Sequence, residues 1–293
     1  MKASAFSYTR VSNVVAALEL LAVHGTAAKI LSGGQSLMPT MNLRLTSPAL
    51  IIDIGAISEL HGISVASGLL RIGALTRHVD LLKSPDIAMQ APLLSEAVAH
   101  IAHPSIRNKG TIGGNLAHAD PAAELPACTL VLDAMIVVRS LNGERRIRAV
   151  DFFTGSYASA LAPQELLTSI EIPVASTHSI HFFEEHARRK GGHAMAGLAA
   201  SASLAGDTFA KLHLGFFGIG EMPLLAKAAD HLTGKPVTAQ MLADAQAALN
   251  AEINPPDDQQ ASAAMRRYLA RQLLGRCVAT MLGRPDLEAR KSA

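Results

Sequence analysis

Two short stretches of the sequence place adjacent glycines beside an amide side chain. The first is LSGGQSLMPTM, residues 31–41, and the second contains TIGGN, residues 111–115. Because glycine has no Cβ, main-chain N–H groups at such a turn can point in directions that other residues resist. In the first stretch Ser36 is a good helix N-cap, and Pro39 is tolerated in a first helical turn. The pattern predicts a turn whose N–H groups converge at a helix start and bind an anion.

One glycine pair of this kind is also what a tight strand-to-helix turn that binds nothing would have. The repetition is stronger evidence, because the two pairs stand about 80 residues apart in regions of different predicted structure. Two phosphate-binding turns suit a long ligand in a cleft between domains, such as a diphosphate dinucleotide. Neither stretch matches the Rossmann G-x-G-x-x-G or the P-loop G-x-x-x-x-G-K pattern, so a doubly wound parallel sheet is disfavoured.

The pattern of apolar and turn residues changes twice along the 293-residue chain. Residues 1–53 predict an α/β lobe that ends in the strand ALIIDI. Residues 54–176 predict an α+β lobe with mostly antiparallel strands and a hairpin turn at Asn142-Gly143. Residues 177–293 predict long strands followed by helices, which indicates a separate α+β domain. The helical segments of this last part are expected at 223–232, 238–251 and about 259–282.

The residues after the second glycine pair, AHADPAAELP, also suggest chemistry. His118 and Asp120 have the spacing of a catalytic dyad, but Pro121 directly follows Asp120. An N-cap followed by a proline at the first helical position explains Asp120 better, and predicts a helix from there to about Asp133. The other histidines are scattered without metal-ligand spacing, so no metal site is predicted.

Composition narrows the class of protein. Hydrophobic residues make up 49% of the chain and charged residues 17%, as in a folded globular protein. The net charge is only +2 and the basic runs are short, so no nucleic-acid partner is predicted. Two cysteines, Cys128 and Cys277, are too few for an iron–sulfur cluster or a structural zinc site on this chain. With no signal-peptide pattern and no apolar run of ~18 residues, a cytoplasmic protein without a transmembrane segment is predicted.

Both glycine stretches, SGGQSLMPTMNLRL and RNKGTIGGNLAHADPAAELPA, resemble the two flavin-binding signatures of the medium, FAD-binding subunits of molybdenum hydroxylases. This family includes carbon monoxide dehydrogenase medium subunits and bacterial N-heterocycle dehydrogenases, and the FAD domain of xanthine dehydrogenase is related to it. The likeness covers nearly the whole chain, including FFEEHARRKGGHAMAG. It implies an α+β fold of the vanillyl-alcohol-oxidase class, with FAD between the first two lobes. A C-terminal domain would carry a three-stranded antiparallel sheet and helices.

The resemblance also implies which residues bind FAD, which this family holds noncovalently. The first stretch would wrap the pyrophosphate, and the second would approach the diphosphate and the ribityl chain. Acidic residues after it would lie near cofactor hydroxyls, and Leu161 would lie near the isoalloxazine. The implied cofactor-binding residues are Ser32, Gly33, Gly34, Gln35, Ser36, Leu37, Thr111, Gly113, Gly114, Asn115, Ala117, Asp120, Glu124 and Leu161. None of them is expected to perform acid–base chemistry on an organic substrate.

Five positions depart from the family pattern. Gln35 stands where several relatives have histidine, and Asn115 stands where some have aspartate, but both still offer hydrogen bonds. His193 replaces an aromatic residue that screens the flavin in some relatives. Glu184 and Glu185 stand where lysine occurs in relatives, so the resemblance does not supply a basic contact to the flavin here.

By the same resemblance, the chain is the electron-transfer subunit of a heterotrimeric molybdenum hydroxylase that assembles as a dimer of heterotrimers. A small partner subunit would carry two 2Fe–2S clusters, and a large partner subunit would carry the molybdopterin cofactor at which substrate is hydroxylated. Electrons would reach FAD from the clusters and leave to NAD, a quinone, a cytochrome or dioxygen. Aromatic N-heterocycles, purine alkaloids, carbon monoxide and aldehydes all stay open as substrates.

Two other functions stay open. A stand-alone FAD-dependent reductase or oxidase can use the same fold, but its arginine/serine/glutamate proton relay is not identifiable in this sequence. A non-enzymatic nucleotide-binding scaffold is the third alternative. Purification separates them: a yellow chain without partners favours the stand-alone enzyme, and partners with iron and molybdenum favour the subunit. A colourless chain that binds partners favours the scaffold.

Overall fold

A parallel sheet of three strands forms the N-terminal part of the protein. The computed structural model describes residues 2–176 and 178–287. The elements of this first part are β1 (Ser7–Arg10), α1 (Val14–His24), β2 (Ala28–Leu31), α2 (Leu37–Asn42) and β3 (Leu50–Asp53). The strand order is β1-β3-β2, and both pairs are parallel. The carboxyl ends of β2 and β3 therefore lie side by side, with Leu31 paired to Asp53.

A five-stranded antiparallel sheet and a series of short helices form the middle part. Its helices are α3 (His78–Lys83), α4 (Pro85–Gln90), α5 (Pro92–His100), α6 (Pro104–Arg107), α7 (Ile112–His118), α8 (Glu124–Val131) and α9 (Ala149–Phe152). Its strands are β4 (Ile63–Ala66), β5 (Leu69–Gly73), β6 (Met135–Ser140), β7 (Gly143–Arg148), β8 (Phe153–Gly155), β9 (Ala158–Ser159) and β10 (Leu166–Pro173). The sheet order is β4-β5-β10-β6-β7, and β8 pairs separately with β9. The predicted hairpin is present between β6 and β7, where Gly143 has φ +131°.

Long antiparallel strands and two helices form the last part. They are β11 (Ser179–Ala187), β12 (Ala194–Ala205), β13 (Thr208–Phe217), β14 (Leu224–Leu225), α10 (Ala239–Glu252) and α11 (Ala263–Leu282). The central strand β12 has the sequence AMAGLAASASLA, and these small side chains leave room for neighbouring elements to approach closely. At Gly197 a Cβ would lie 2.0 Å from Cζ of Phe217, so only glycine accepts that ring.

The predicted helix at 223–232 is wrong. The chain there first adds the two-residue strand β14 to the edge of the sheet, and Ala226 N then donates to Leu214 O at 2.8 Å. Only Lys227–His231 is helical, as a short 3₁₀ segment. Pairing with β13 therefore replaces the hydrogen bonds that a helix would have made in this segment. The sheet consequently has a short fourth strand beside the three expected ones.

Three apolar cores lie under the three sheets, and each includes residues from a neighbouring part. The N-terminal core takes in Leu75 and Leu166 of the middle part, and the middle core takes in Ala199 and Phe217 of the last part. The three parts therefore pack closely against one another. The boundaries at 53/54 and 176/177 stay a prediction, and Thr177 and residues 288–293 lie outside the described residues.

Helix α8 is central to this packing. All eight of its residues, Glu124–Val131, are buried. The helix packs against α5 on one side and against β12 and β13 on the other, so it joins the middle part to the last part. Within residues 2–176 and 178–287, no helix has the length and apolar character needed to cross a membrane.

Candidate functional site

The first glycine segment, Ser32–Ser36, joins β2 to α2 at the carboxyl end of the parallel sheet. Gly34 has φ +70°, a backbone conformation that favours glycine. Gln35 Nε2 donates to the Gly33 carbonyl at 2.9 Å, which closes the turn. Met38 N donates to Gly34 O at 3.1 Å, which is the first hydrogen bond of the helix. The N–H groups that precede Met38 therefore have no partner within the helix, as is usual at a helix start. These donors are available to a ligand.

The structure corrects the expected capping role of Ser36. Its backbone is already helical, with φ −104° and ψ −43°, and its side chain makes no capping hydrogen bond. An N-cap residue is normally extended, so the hydroxyl cannot reach back to the N–H groups of the first turn. Because α2 has only six residues, its dipole is short, and the segment attracts an anion mainly through individual N–H groups and the exposed Ser36 hydroxyl.

The second glycine segment, Thr111–Asn115, has a different conformation. Thr111 is the N-cap of α7, and its Oγ1 accepts from Gly114 N at 3.1 Å. The two glycines therefore lie in the first turn of a helix, and neither has a positive φ. Close packing explains Gly113, because a Cβ there would lie 2.6 Å from Cβ of Ala74. The two segments therefore share a sequence pattern but differ in backbone conformation.

A buried imidazole supports this segment. His78 begins α3, and its main-chain N donates to Gly110 O at 2.9 Å. A Cβ at Gly110 would lie 3.1 Å from Cε1 of His78, so the ring packs directly against the chain before Thr111. Burial lowers the pKa of His78 to about 4. The ring is therefore neutral at physiological pH and acts as a packing group.

The helix expected with Asp120 as its N-cap and Pro121 as its first residue begins three residues later. Helix α8 starts at Glu124, and Ala123 is the residue that precedes it. Asp120 Oδ1 instead accepts from Ala122 N at 2.9 Å, a turn that aspartate forms with the backbone two residues on. Asp120 is thus a turn-forming residue, and its Oδ2 lies 3.7 Å from Nε2 of His193.

The two glycine segments touch each other. Thr111 Oγ1 donates to Ser32 Oγ at 3.2 Å. A Cβ at Gly33 would lie 2.2 Å from the carbonyl oxygen of Lys109 and 2.8 Å from Cα of Gly110. A Cβ at Gly114 would lie 2.7 Å from Ser32 Oγ. The glycines on both sides therefore allow two backbones to approach within van der Waals contact.

A groove of about 460 Å³ opens beside this contact. Its size lies within the range of ligand pockets, roughly 300–1,000 Å³. Ser32, Gly33, Gly34 and Gln35 form one wall. The other lining residues are Leu31, Met38, Pro39, Asn42, Asp53, Ile106 and Lys109. The groove thus combines main-chain donors with apolar and charged side chains.

Sequence reasoning missed two charged residues of this groove. Asp53 ends β3 beside the end of β2, and its carboxylate accepts from Gly55 N at 2.8 Å and from the hydroxyl of Tyr8. Lys109 lies two residues before the second segment and is exposed. The parallel pairing of ALIIDI with AKIL would have placed Asp53 here, and the run NKG before TIGGN would have indicated Lys109. Lys109 adds positive charge at a groove suited to an anion.

The residues present fit a flavin dinucleotide. Asn115 Oδ1 is buried and has no hydrogen-bond partner among the described residues. Leaving a buried acceptor unpaired costs about 1–3 kcal/mol, so a ligand donor is the natural partner. Neither Gly33 nor Gly114 has room for a Cβ, so these glycines serve the contact between the two segments. The free N–H groups at a helix start and an unpaired amide oxygen are the groups that suit phosphates and polyol hydroxyls.

The expected site residues fall into two groups. Ser32–Gln35, Thr111 and Gly114 are brought together, and Ser36 and Leu37 follow them into α2. Ala117 is exposed on α7, and Leu161 is half-buried against the middle core. Neither they nor Ser36, Leu37 and residues 111–115 line the groove, so the expected contacts of all these residues with the cofactor stay predictions.

Glu124 lies in a buried acidic cluster at the start of α8. It is 8% exposed, and burial together with the neighbouring carboxylate of Glu185 raises its pKa to about 8. Burial raises the pKa of Glu185 to about 7. Nδ1 of His100 lies 3.5 Å from Oε1 of Glu185, whose Oε2 is buried without a partner. Glu124 therefore faces β11 and holds its proton at neutral pH, and its expected contact with cofactor hydroxyls stays a prediction.

No group of three or more histidine, cysteine and acidic side chains that could hold a metal ion exists among residues 2–176 and 178–287. Cys128 and Cys277 are both buried and unpaired. Burial raises the pKa of both thiols, which keeps them in the inert protonated form.

Comparison with known proteins gives matches over nearly the whole chain. Residues 4–175 match the family model described as the FAD binding domain in molybdopterin dehydrogenase. Residues 181–281 match the model described as the CO dehydrogenase flavoprotein C-terminal domain. The two models together leave only short terminal segments and the residues around 176–180 unmatched.

Individual relatives agree with these models. The 6-hydroxypseudooxynicotine dehydrogenase complex subunit alpha of Paenarthrobacter nicotinovorans is 45% identical over 204 residues, covering 70% of this chain and 69% of its own. The caffeine dehydrogenase subunit beta of Pseudomonas sp. strain CBB1 is 36% identical, covering 95% of each chain. A chain of carbon monoxide dehydrogenase from Hydrogenophaga pseudoflava superimposes with a TM-score of 0.94 at 34% identity, covering 97% of this chain and 99% of its own.

Proposed function

The chain belongs to the family of FAD-binding medium subunits of molybdenum-containing dehydrogenases, and from this membership we propose that it is the electron-transfer subunit of a heterotrimeric hydroxylase. In this proposal it takes electrons from the 2Fe–2S clusters of a small partner subunit and passes them to an external acceptor. A large molybdopterin subunit oxidises the organic substrate, and two heterotrimers form the complete enzyme.

The observation that carries the proposal is the contact between the two glycine segments. The hydrogen bond between Thr111 and Ser32 holds the two glycine segments together beside a groove that the first segment lines. A nucleotide-binding turn alone would serve many functions, whereas two such turns meeting from separate lobes suit a long dinucleotide. The absence of Cβ atoms at Gly33 and Gly114 makes this meeting sterically possible.

In this proposal, residues of both glycine segments and Lys109 have definite parts in holding FAD. Main-chain N–H groups of Ser32–Ser36 would bind the diphosphate, and the positive charge of Lys109 would complement it. The amide of Asn115 would pair with a hydroxyl of the ribityl chain, which satisfies its buried oxygen. When bound, FAD supplies the ability to accept electrons singly and to release them singly or in pairs.

The substrate pocket belongs to a partner in this proposal. Relatives of similar length carry the names of caffeine dehydrogenase and carbon monoxide dehydrogenase, whose substrates share no chemistry. A medium subunit that contacted the organic substrate would need a different pocket in each case. We therefore assign to this chain the binding of FAD and electron transfer, and no acid–base step on the substrate.

Purification from the native host tests the proposal. The expected result is a complex with two further subunits in equal amounts, containing FAD, iron and molybdenum. The isolated chain should then bind FAD and show no oxidation of an organic substrate. A yellow chain that turns over substrate without partners would indicate the stand-alone enzyme. A colourless chain that still binds partners would indicate the scaffold.

A further inference from the structure

A buried arginine in α11 holds two segments that contact the turn at Asp120 and Pro121, just after the second glycine segment. Arg266 is 3% exposed. Its Nη1 donates to the carbonyl oxygen of Met195 at 2.7 Å and to that of Gly218 at 2.6 Å. Its Nη2 donates to both carboxylate oxygens of Asp258, at 2.8 and 2.7 Å. A buried guanidinium is costly unless it is paired, and well-packed apolar residues often stabilise a fold at least as well.

The two carbonyl groups belong to segments that contact the turn at Asp120. Met195 lies two residues after His193, whose Nε2 is 3.7 Å from Oδ2 of Asp120. Gly218 N donates to the carbonyl oxygen of Pro121 at 2.8 Å. Arg266 is therefore connected through one short segment to Asp120 and through another to Pro121.

The carboxylate partner extends the connection to the other end of the same loop. Asp258 Oδ1 accepts from Gln260 N at 2.8 Å and from Ala261 N at 3.0 Å. The carbonyl oxygen of Gln260 accepts from Nε of Arg188 at 2.9 Å. The loop Arg188–His193 is thus held at its start through the Asp258 turn and just past its end by Arg266 directly.

The middle of this loop rests on the chain that precedes the second glycine segment. Gly191 has φ +72°, and a Cβ there would lie 2.5 Å from the carbonyl oxygen of Ala102. Arg107 Nη1 donates to the same carbonyl at 3.0 Å. The loop therefore contacts the middle part at Ala102 and at Asp120, on either side of residues 111–115.

We propose that Arg266 is a positioning residue that holds the loop Arg188–His193 as a wall of the flavin site. This inference rests on the proposed function. The hydrogen bond to the Met195 carbonyl fixes where β12 begins, and the one to the Gly218 carbonyl fixes where β13 ends. The Asp258 turn fixes where β11 ends. Without the guanidinium, the loop separates from Ala102 and Asp120, and bound FAD becomes more accessible to solvent and to small acceptors.

Replacement of the arginine gives two independent readouts. Arg266→Met removes all four hydrogen bonds while keeping an unbranched apolar side chain. The loop contains three trypsin sites, Arg188, Arg189 and Lys190, so we expect native-state cleavage there to accelerate by about tenfold, since cleavage follows the population of the open loop. In the flavin-loaded chain we also expect a changed visible circular dichroism band of FAD and faster reaction of reduced enzyme with a small soluble acceptor.

The neighbouring arginine provides a matched control. Arg267 Nη1 donates to the carbonyl oxygen of Asn250 at 2.6 Å, which joins α11 to α10 without reaching the loop. Arg267→Met should lower thermal stability but leave tryptic cleavage at residues 188–190 and the FAD signal unchanged. Arg266→Lys keeps the positive charge but loses the planar guanidinium that binds several acceptors at once. This variant should give intermediate values of both readouts.

A second variant tests the loop contact without touching the arginine. Gly191→Ala places a Cβ against the Ala102 carbonyl and should reproduce the faster cleavage and the altered FAD signal. If Arg266→Met does not fold, this variant decides the question. Unchanged cleavage and FAD signal in the folded variants, or equal changes in Arg267→Met, would overturn the proposal. The cleavage rate is measured on the flavin-free chain and therefore tests the loop alone. A failure of the wild-type chain to bind FAD would contradict the proposed function and would be detected in a separate measurement.

Discussion

Thr111 donates its hydroxyl hydrogen to Ser32 Oγ across 3.2 Å, although the two residues are 79 positions apart in the sequence. The same hydroxyl oxygen accepts from Gly114 N at 3.1 Å and so caps α7. One side chain therefore fixes both the start of a helix and the position of that helix against the other glycine segment. This double role makes the contact a sensitive place to test the flavin site.

Replacing Thr111 by valine should weaken FAD binding and lower stability together. The variant keeps the shape of the side chain but loses the cap and the link to Ser32, and loss of a cap costs about 1 kcal/mol. We expect the dissociation constant for FAD to rise by about tenfold, which corresponds to ~1.4 kcal/mol. Titration of the flavin-free chain with FAD, together with thermal unfolding, measures both effects.

Thr238 offers the control for this change, because its Oγ1 caps α10 by accepting from Met241 N at 3.2 Å. Thr238→Val should lower stability by a similar amount with unchanged FAD affinity. If Thr238→Val and Thr111→Val weaken FAD binding equally, the loss reflects general stability and the Ser32–Thr111 contact has no specific role.

Alanine at Gly33 should be more damaging than alanine at Gly114. At Gly33 the new Cβ meets main-chain atoms of Lys109 and Gly110, which cannot rotate away. At Gly114 it meets the hydroxyl oxygens of Ser32 and Thr111, which belong to side chains that can turn. We expect Gly33→Ala to abolish most flavin occupancy and Gly114→Ala to retain part of it. Occupancy is measured as the ratio of flavin absorbance at about 450 nm to protein absorbance at about 280 nm, since each bound FAD adds the same flavin absorbance.

Gly220→Ala is the matched control, because the nearest atom to its new Cβ is the Met222 carbonyl oxygen at 3.9 Å. It should leave occupancy unchanged. Valine at Gly33 or at Gly114 should reduce occupancy further than alanine at the same position. Full occupancy in either valine variant would remove that half of the site from the assignment.

Stability should fall as the pH rises through the neutral range because of the buried carboxyl pair. Burial raises the pKa of Glu124 to about 8 and that of Glu185 to about 7, above the ordinary 4.5. The folded chain therefore binds protons that the unfolded chain has lost. This stabilisation is complete below the unfolded pKa, decreases as the pH rises above it, and is lost once the pH has passed the folded values of about 7 for Glu185 and about 8 for Glu124.

The neutral variant Glu124→Gln separates this effect from other titrations. Denaturant unfolding from pH 5 to pH 9 should show a larger decrease in the free energy of unfolding for the wild-type chain than for Glu124→Gln. The difference should be on the order of 4 kcal/mol, since about three pKa units separate pH 5 from the folded pKa of Glu124 and each unit is worth about 1.4 kcal/mol. Glu19 is exposed on α1, and Glu19→Gln should retain the wild-type profile. Parallel profiles for all three proteins would show that Glu124 ionises freely in the folded state.

The sequence was informative where a residue's role depends on its immediate neighbours or on a family signature. The two glycine segments predicted the family, the FAD-binding domain and the α+β fold, and all three are confirmed. The hairpin at Asn142-Gly143 followed from local turn chemistry and is also confirmed. The same local reasoning was wrong at residues 223–232, because pairing with β13 is a distant interaction that helix periodicity cannot reveal.

The candidate site shows the same division between local and distant information. Asp120-Pro121 has the composition of a helix start, yet the Asx turn with Ala122 uses the carboxylate and delays α8 to Glu124. Besides its charge, Lys109 contributes the position of its carbonyl oxygen against Gly33, which no side-chain pattern encodes. Arg266 is a surface-type residue in the sequence, and only the fold shows that it joins three separate segments.

Asn115→Leu should have opposite effects on stability and on FAD binding. In the flavin-free chain, Asn115 Oδ1 is buried without a partner, and removal of an unpaired acceptor relieves a cost of about 1–3 kcal/mol. Leucine has a similar volume, so the flavin-free variant should melt at the same temperature as the wild type or higher.

FAD affinity should fall by at least about tenfold, because the hydrogen bond that the cofactor would complete is gone. Bound ligand stabilises a fold in proportion to its affinity, so saturating FAD should raise the melting temperature of wild type more than that of the variant. Thermal scans with and without FAD measure all four states. A variant that loses stability without FAD but gains as much from FAD as the wild type would show that Asn115 is a structural residue and does not contact the cofactor.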